Sequence, residues 1–214
     1  VASFRDRSDA GRRLVGPAAA VLPTGRPVTV VALPRGGVLV GATLVEGLRA
    51  LGWTARLDLV VVAKVLAPEF PELALGAVTA HATVRSSAAG QLTGMDDARY
   101  AALTADARRR LAGRAAALPE PHAPADGSVL LVDDGLATGS TVVAAVAELR
   151  SGHPGWLGLA VPVADATAWA RVRPLVDGGV ALLQRTPMRA VSVDYADFTQ
   201  LDDDVVRDAL ARWG

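Results

Sequence analysis

The sequence predicts an α/β fold: a central, mainly parallel sheet with helices on both faces. Short apolar runs recur along the chain without polar alternation, as strands covered on both sides should. A helix-like stretch follows most of them, and such a succession calls for parallel pairing with helices packed above and below. The loops between run and helix are made of glycine, hydroxyl and charged residues. With 214 residues the chain is long enough for one substantial core. It reads as a single unit over 1–214, with a small hood from the N-terminal segment and parts of the C-terminal third.

Residues 4–15, Phe-Arg-Asp-Arg-Ser-Asp-Ala-Gly-Arg-Arg-Leu-Val, predict a short amphipathic helix with Phe4 and Leu14 among its apolar contacts and its arginines as a solvated face. Pro27 precedes a buried strand over 28–33. Pro34, Arg35, Gly36 and Gly37 follow, then a helix reaching Leu51. Gly36 and Gly37 let backbone N–H groups approach a ligand closely. Residues 57–65 predict a third strand with Lys64 near its end, where the ammonium either snorkels to water or faces an anion.

Residues 79–94, small and polar, read as an exposed β-ribbon or mobile loop. A helix from about Asp96 to Leu118 carries Arg99, Arg108, Arg109, Arg110 and Arg114 as surface charge, and 119–127, rich in proline and alanine, reads as a linker. Beyond the central segment described next, 156–163 predict a fifth strand with Pro162 near its exit. Ala164-Asp165-Ala166-Thr167 can cap the next helix, 179–184 predict a sixth strand, and Asp202, Asp203 and Asp204 cap and solvate the last helix.

The segment around which the chain is organised is 129–141. Val129, Leu130, Leu131 and Val132 form a non-alternating run, Asp133 and Asp134 stand where that strand leaves the sheet, and a loop of small residues leads into a helix from Ser140. A helix N-terminus with unpaired N–H groups attracts phosphate. A Walker A loop would need Gly-Lys-Ser/Thr, and this loop has no lysine. A Rossmann fingerprint would need three spaced glycines, and only Gly135 and Gly139 are present. An ordinary strand-to-helix turn with two solvated acids is the plain alternative.

This hydrophobic strand, acidic pair and Thr138-Gly139-Ser140-Thr141 loop together resemble the phosphoribosyl pyrophosphate (PRPP) motif of type I phosphoribosyltransferases. The resemblance covers nearly the whole chain. Phe4-Arg5-Asp6-Arg7-Ser8-Asp9-Ala10-Gly11 is similar to the opening of a bacterial subfamily of unassigned acceptor. Ala67-Pro68 through Gly76-Ala77-Val78 is similar to its Ala-Pro-x-x-Pro-Glu-x-Ala-x-Gly-Ala-Val run, and Tyr195-Ala196-Asp197-Phe198 to its Tyr-x-Asp-Phe ending. Four positions depart from that pattern: Ala63, where the subfamily commonly has arginine, Phe70 for asparagine, Ser192 for glycine, and Asp194 for tryptophan or tyrosine. If Ser192 and Asp194 face the acceptor, they offer it a more polar surface.

The resemblance implies a transferase that moves the phosphoribosyl group of PRPP to a nitrogen-containing acceptor, a nucleobase or related heterocycle, and releases pyrophosphate. Ala137, Thr138, Gly139, Ser140 and Thr141 would hold the 5-phosphate, with Gly135 also among the substrate-binding residues, and Asp133 and Asp134 would hold the ribose hydroxyls. Arg35, Gly36 and Gly37 resemble the family's pyrophosphate loop, in which an often cis peptide presents its amides, and Lys64 would add a mobile cation. Magnesium would arrive mainly on PRPP, with no protein cage, and the family suggests a homodimer and a lid near 79–94. A non-catalytic PRPP or nucleotide sensor, and a phosphohydrolase using the same cradle, are the rival readings.

Composition narrows the field. Twenty-two basic and twenty-two acidic residues cancel, so no global field recruits nucleic acid or an acidic membrane surface. The chain contains no cysteine, which removes a disulfide framework, a thiolate nucleophile and any zinc site with sulfur ligands, and is compatible with a reducing cytoplasm. Apolar stretches are interrupted before about eighteen residues, so no membrane span is expected, and the first dozen residues show no secretion signal. His81, His122 and His153 are scattered as lone surface residues, and Gly-x-Ser-x-Gly is absent. Aromatics at 4% are too few to assign base stacking to a residue.

Overall fold

The computed structural model describes residues 2–85, 96–115 and 127–214. Its centre is a five-stranded, all-parallel sheet in the order β2-β1-β6-β7-β8. The strands are β1 (Val28–Ala32), β2 (Ala55–Leu59), β6 (Ser128–Val132), β7 (Trp156–Asp165) and β8 (Gly178–Arg185). A second, antiparallel sheet holds β3 (Ala63–Ala67), β4 (Phe70–Val78) and β5 (Thr83–Arg85). The helices are α1 (Arg7–Val21), α2 (Gly36–Ala50), α3 (Asp97–Ala115), α4 (Ser140–Ser151), α5 (Ala166–Val172) and α6 (Asp203–Trp213).

The missing alternation in the strands has a direct cause. Successive strand side chains point to opposite faces, and both faces of this sheet are covered. Val28, Val30, Ala32, Leu130 and Val132 pack with Leu14, Leu44, Leu48 and Val206 of α1, α2 and α6. Val31, Val129, Leu131, Leu157 and Leu159 pack with Val142, Val146, Ala168 and Val172 of α4 and α5. The small sheet makes its own core with α3 through Val65, Leu75, Tyr100, Ala107 and Leu111.

Three local expectations change. The apolar run 57–65 is two strands in two sheets. β2 ends at Leu59, the Val60 N–H still reaches the Ala32 carbonyl at 3.1 Å, and the chain then crosses to β3. Val60 and Val62 are buried at the crossing, so no polar residue marks it. Lys64 therefore lies near the start of β3, exposed between buried Ala63 and Val65.

The first helix begins later and runs further than 4–15. Asp6 caps it by accepting from the Asp9 N–H at 2.7 Å, and Phe4 precedes it, bridged to Tyr195. Of the segment 67–78, Ala67 ends β3 and Phe70–Val78 forms β4, while 83–85 supplies the ribbon's third strand. Residues 86–94 of the expected lid and 119–126 of the expected linker lie outside the described residues, as do the side chains of Phe70 and Arg114.

Candidate active site

β1 and β6 are parallel neighbours in register from Val28↔Ser128 to Ala32↔Val132, so their loops leave the same edge side by side. From β1 the chain turns to β2 on one flank, and from β6 to β7 and β8 on the other. This is the reversal point at which open parallel sheets bind ligands beyond the carboxyl ends of their strands. A cavity of about 450 Å³ opens there, lined by Leu33, Pro34, Gly36, Val62, Ala63, Lys64, Leu66, Arg110, Asp133, Asp134 and Thr141. Five of the residues singled out from sequence thus meet in one cleft: Gly36, Lys64, Asp133, Asp134 and Thr141.

The acidic pair is half-buried, and each carboxylate has one oxygen anchored. Asp133 Oδ1 accepts the Asp134 N–H at 2.9 Å, and Asp134 Oδ2 accepts from Arg7 Nε at 2.8 Å. Asp133 Oδ2 and Asp134 Oδ1 have no hydrogen-bond partner among the described residues. Burial pushes the Asp133 carboxyl well above the usual carboxylate range, and the charge of Asp134 adds to this; the Asp134 amide, Lys64 and Arg7 oppose it. Burial also raises Asp134, against the hydrogen bond and charge of Arg7.

The first loop closes tightly on this pair. The Pro34–Arg35 peptide is cis, and the Gly37 N–H donates to the Leu33 carbonyl at 3.1 Å. A Cβ on Gly36 would lie 1.9 Å from Asp134 Oδ2, and one on Gly37 would lie 2.8 Å from the Val132 carbonyl oxygen. Glycine here serves the packing of α2's first turn against Asp133 and Asp134. Arg35 is not brought into the cleft: its guanidinium lies 3.9 Å from Asp203 Oδ1 at the start of α6.

The second loop is open. Gly139 caps α4 at φ 74°, the left-handed region that glycine enters without penalty. The first-turn N–H groups of α4 have no intrahelical acceptor, which favours an anion at that end. Ala137 and Thr138 are exposed, and the Thr138 and Ser140 hydroxyls lie 3.2 Å apart. Arg171 of α5 donates to the Thr138 carbonyl beside Gly139. Behind the loop, Leu136 exchanges hydrogen bonds with the β7 end, its N–H to the Val163 carbonyl and its carbonyl from the Asp165 N–H, while Gly135 packs under Val191.

The sequence places Arg7 and Arg110 on solvated faces, whereas the structure buries Arg7 against Asp134 and sets Arg110 on the cleft wall. Arg7 is 8% exposed, and beyond Asp134 it donates to the Thr199 carbonyl at 2.9 Å and stacks 3.7 Å from the Phe198 ring centroid. Tyr195 donates its hydroxyl to the Asp134 carbonyl at 2.6 Å. Burial, with the charge of Asp134, pushes that phenol far up, so it stays a donor. The signal for Arg7 lay in the Phe-x-Asp-Arg run itself, since Phe4 and Tyr195 pack with ring centroids 5.3 Å apart. Arg110 of α3 lines the cleft and donates to the Lys64 carbonyl at 3.2 Å.

Two further sequence expectations are corrected. Asp194 is buried, held by Arg185 and by the Ser3 hydroxyl, so its departure from the family pattern anchors the N-terminus; Ser192 remains exposed. His81 is exposed but not alone, with Nδ1 2.6 Å from Glu148 Oε1.

The sheet is parallel throughout, and its reversal point carries the acidic pair and the start of α4 side by side. The family follows from comparison: residues 18–195 match the phosphoribosyl transferase domain, and the chain belongs to that family. A Mycobacterium tuberculosis H37Rv protein provisionally named a phosphoribosyl transferase is 35% identical over 207 residues. The match covers 95% of this chain and 45% of that protein, so the chain spans less than half the length of this relative. The same figures hold for its counterpart in strain CDC 1551. The crystal structure of TT1426 from Thermus thermophilus is similar with a TM-score of 0.77 and 36% identity, over 98% of each chain. Among the described residues no helix is long and apolar enough to cross a membrane.

Proposed function

We propose that the chain transfers the phosphoribosyl group of PRPP to a nitrogen-containing acceptor, a nucleobase or related heterocycle, and releases pyrophosphate. The bond between the anomeric carbon and the pyrophosphate oxygen breaks, a bond from that carbon to the acceptor nitrogen forms, and any proton on that nitrogen leaves to solvent. The observation that carries this reading is the acidic pair, which lines the cleft with one oxygen of each carboxylate unengaged among the described residues, beside a helix start that suits a phosphate.

In this reading the two free oxygens accept the ribose hydroxyls. Their charge favours the positive charge that develops on the sugar as the glycosidic bond loosens. The amides and hydroxyls of 137–141 hold the 5-phosphate. Lys64, with Arg110 beside it, faces the pyrophosphate from β3 and α3. The Gly36 and Gly37 backbone holds the first loop against the acids.

Among the described residues no three carboxylate or histidine side chains converge on a metal position, and one oxygen of each acid is already engaged. This donor set suits magnesium that enters on PRPP oxygens, where it supplies charge to the departing pyrophosphate. Action in the cytoplasm as a homodimer completes the proposal, and light scattering tests the pairing.

Pyrophosphate release from PRPP and magnesium, measured with and without a panel of purine, pyrimidine and other nitrogen heterocycles, tests the function. Acceptor-dependent release is expected. Acceptor-independent phosphate release from phosphate esters would make the chain a phosphohydrolase, and PRPP binding without release would make it a sensor.

A further inference from the structure

We infer that Arg7 is the positioning residue of the acidic pair, clamping Asp134 from the N-terminal segment so that its second oxygen meets the ligand. This deepens the phosphoribosyl-transfer reading and rests on it. A buried arginine on a helix whose neighbours Arg12 and Arg13 are exposed requires a local reason. Three contacts give it: Nε to Asp134 Oδ2, Nη1 to the Thr199 carbonyl, and the guanidinium plane over the Phe198 ring. Together they fix position and tilt, which a lysine's point charge would not reproduce.

The two acids are therefore held differently. Asp133 is anchored by the backbone N–H of its own neighbour, so its geometry is local. Asp134 is anchored from far along the chain, its carbonyl by Tyr195 and its carboxylate by Arg7. Phe4, Tyr195 and Phe198 stack in sequence around this contact, with ring centroids 5.3 and 5.1 Å apart. Ser3 and Arg185 bind Asp194 behind it.

As an element of stability alone, a buried ion pair does no better than an apolar pair of the same volume. Asp134 lines the cleft, and this gives the pair another use. With Oδ2 held by Arg7, Asp134 presents Oδ1 in one orientation and keeps its negative charge where the sugar's positive charge develops. Interactions that strengthen in the transition state act on turnover more than on substrate binding.

A double-mutant cycle tests this, with Arg7→Met, Asp134→Asn and the pair assayed for kcat and KM with PRPP, magnesium and the best acceptor, alongside thermal melting. Arg7→Met is expected to lower kcat about 10²-fold with KM for PRPP changed less than about threefold. Arg7→Lys should recover only part of that loss. In the Asp134→Asn background, Arg7→Met should cost less than about threefold more, because the interaction it serves has gone. Multiplicative effects of the two changes, or a lowered melting temperature with kcat intact, would overturn the inference and leave the transferase reading standing. A wild-type chain with no PRPP turnover would overturn the transferase reading, and this inference with it. Should Arg7→Met fail to fold, Phe198→Leu retains the guanidinium while removing its ring support. It should lower kcat, and again not in the Asp134→Asn background; an equal loss in both backgrounds would overturn the inference.

Discussion

The two strand–loop–helix units that meet at the middle of the sheet, β1–α2 and β6–α4, share register and direction but use glycine for opposite purposes. The first loop runs only through 33–35, and its glycines bring α2 into contact with the acids: there is no space for a Cβ at Gly36 or Gly37, and the Gly37 amide is engaged inside the loop. The second loop runs through 133–139 and ends on Gly139 at positive φ, leaving the first-turn amides of α4 without an acceptor inside the helix and without a side-chain cap among the described residues. One unit is a buttress, the other a cradle. What distinguishes the two is how closely the backbone is packed: the first leaves no room for a Cβ against the acids, and the second turns through positive φ at Gly139.

Breaking the buttress should have the largest effect. In Gly36→Ala the new methyl group must displace the Asp134 carboxylate, which Arg7 holds in place, so turnover should fall about 10²-fold or more, read by pyrophosphate release. Retained turnover would mean that the first loop does not support the acids.

Lys64→Ala sharpens the comparison from the cleft wall. Loss of a charge-assisted contact to pyrophosphate, present before and during reaction, should raise the apparent PRPP constant about tenfold, at least as much as it lowers kcat. It should also move the acid limb of kcat/KM. Asp133 accepts hydrogen bonds as a carboxylate, and its raised pKa means that activity is lost as pH falls through a value above the ordinary carboxylate range. Lys64 opposes that rise, so its removal should shift the limb to still higher pH. A pH–rate profile unmoved by Lys64→Ala would contradict this electrostatic account.

The smallest effect is expected on the open face of α3. A Cβ on Gly113 in α3 meets nothing within 4 Å, so Gly113→Ala should raise stability by up to about 1 kcal/mol and leave the PRPP constant alone. Denaturant unfolding and a PRPP titration of the same variant check both halves.

The central strands were legible in the sequence because burial on both faces removes polar alternation, as Val28–Ala32 and Ser128–Val132 show. The acidic pair and Gly139 were legible because a strand end, a loop and a helix start are contiguous in the chain. What stayed hidden depends on distant partners or on apolar crossings. Val60 and Val62 are as apolar as the strands they separate, so the change of sheet leaves no polar mark. Arg7 lies on a helix whose local pattern reads as solvated, and its partner Asp134 is 127 positions away. Asp194 would be a more polar surface if it faced the acceptor, yet Arg185 pairs with it and the Ser3 hydroxyl donates to it from two other parts of the fold.

The most direct test of the account is a calorimetric titration of PRPP with magnesium into the wild-type chain and into Gly139→Val. The substitution forces a β-branched residue into left-handed backbone, at a cost of roughly 1–2 kcal/mol, and sets its side chain against Val172 and Arg171 at the start of α4. Saturable binding to the wild type, weakened at least about tenfold in a variant that still melts cooperatively, is the result the cradle predicts. Equal PRPP affinity in the two proteins, or none in either, would contradict it.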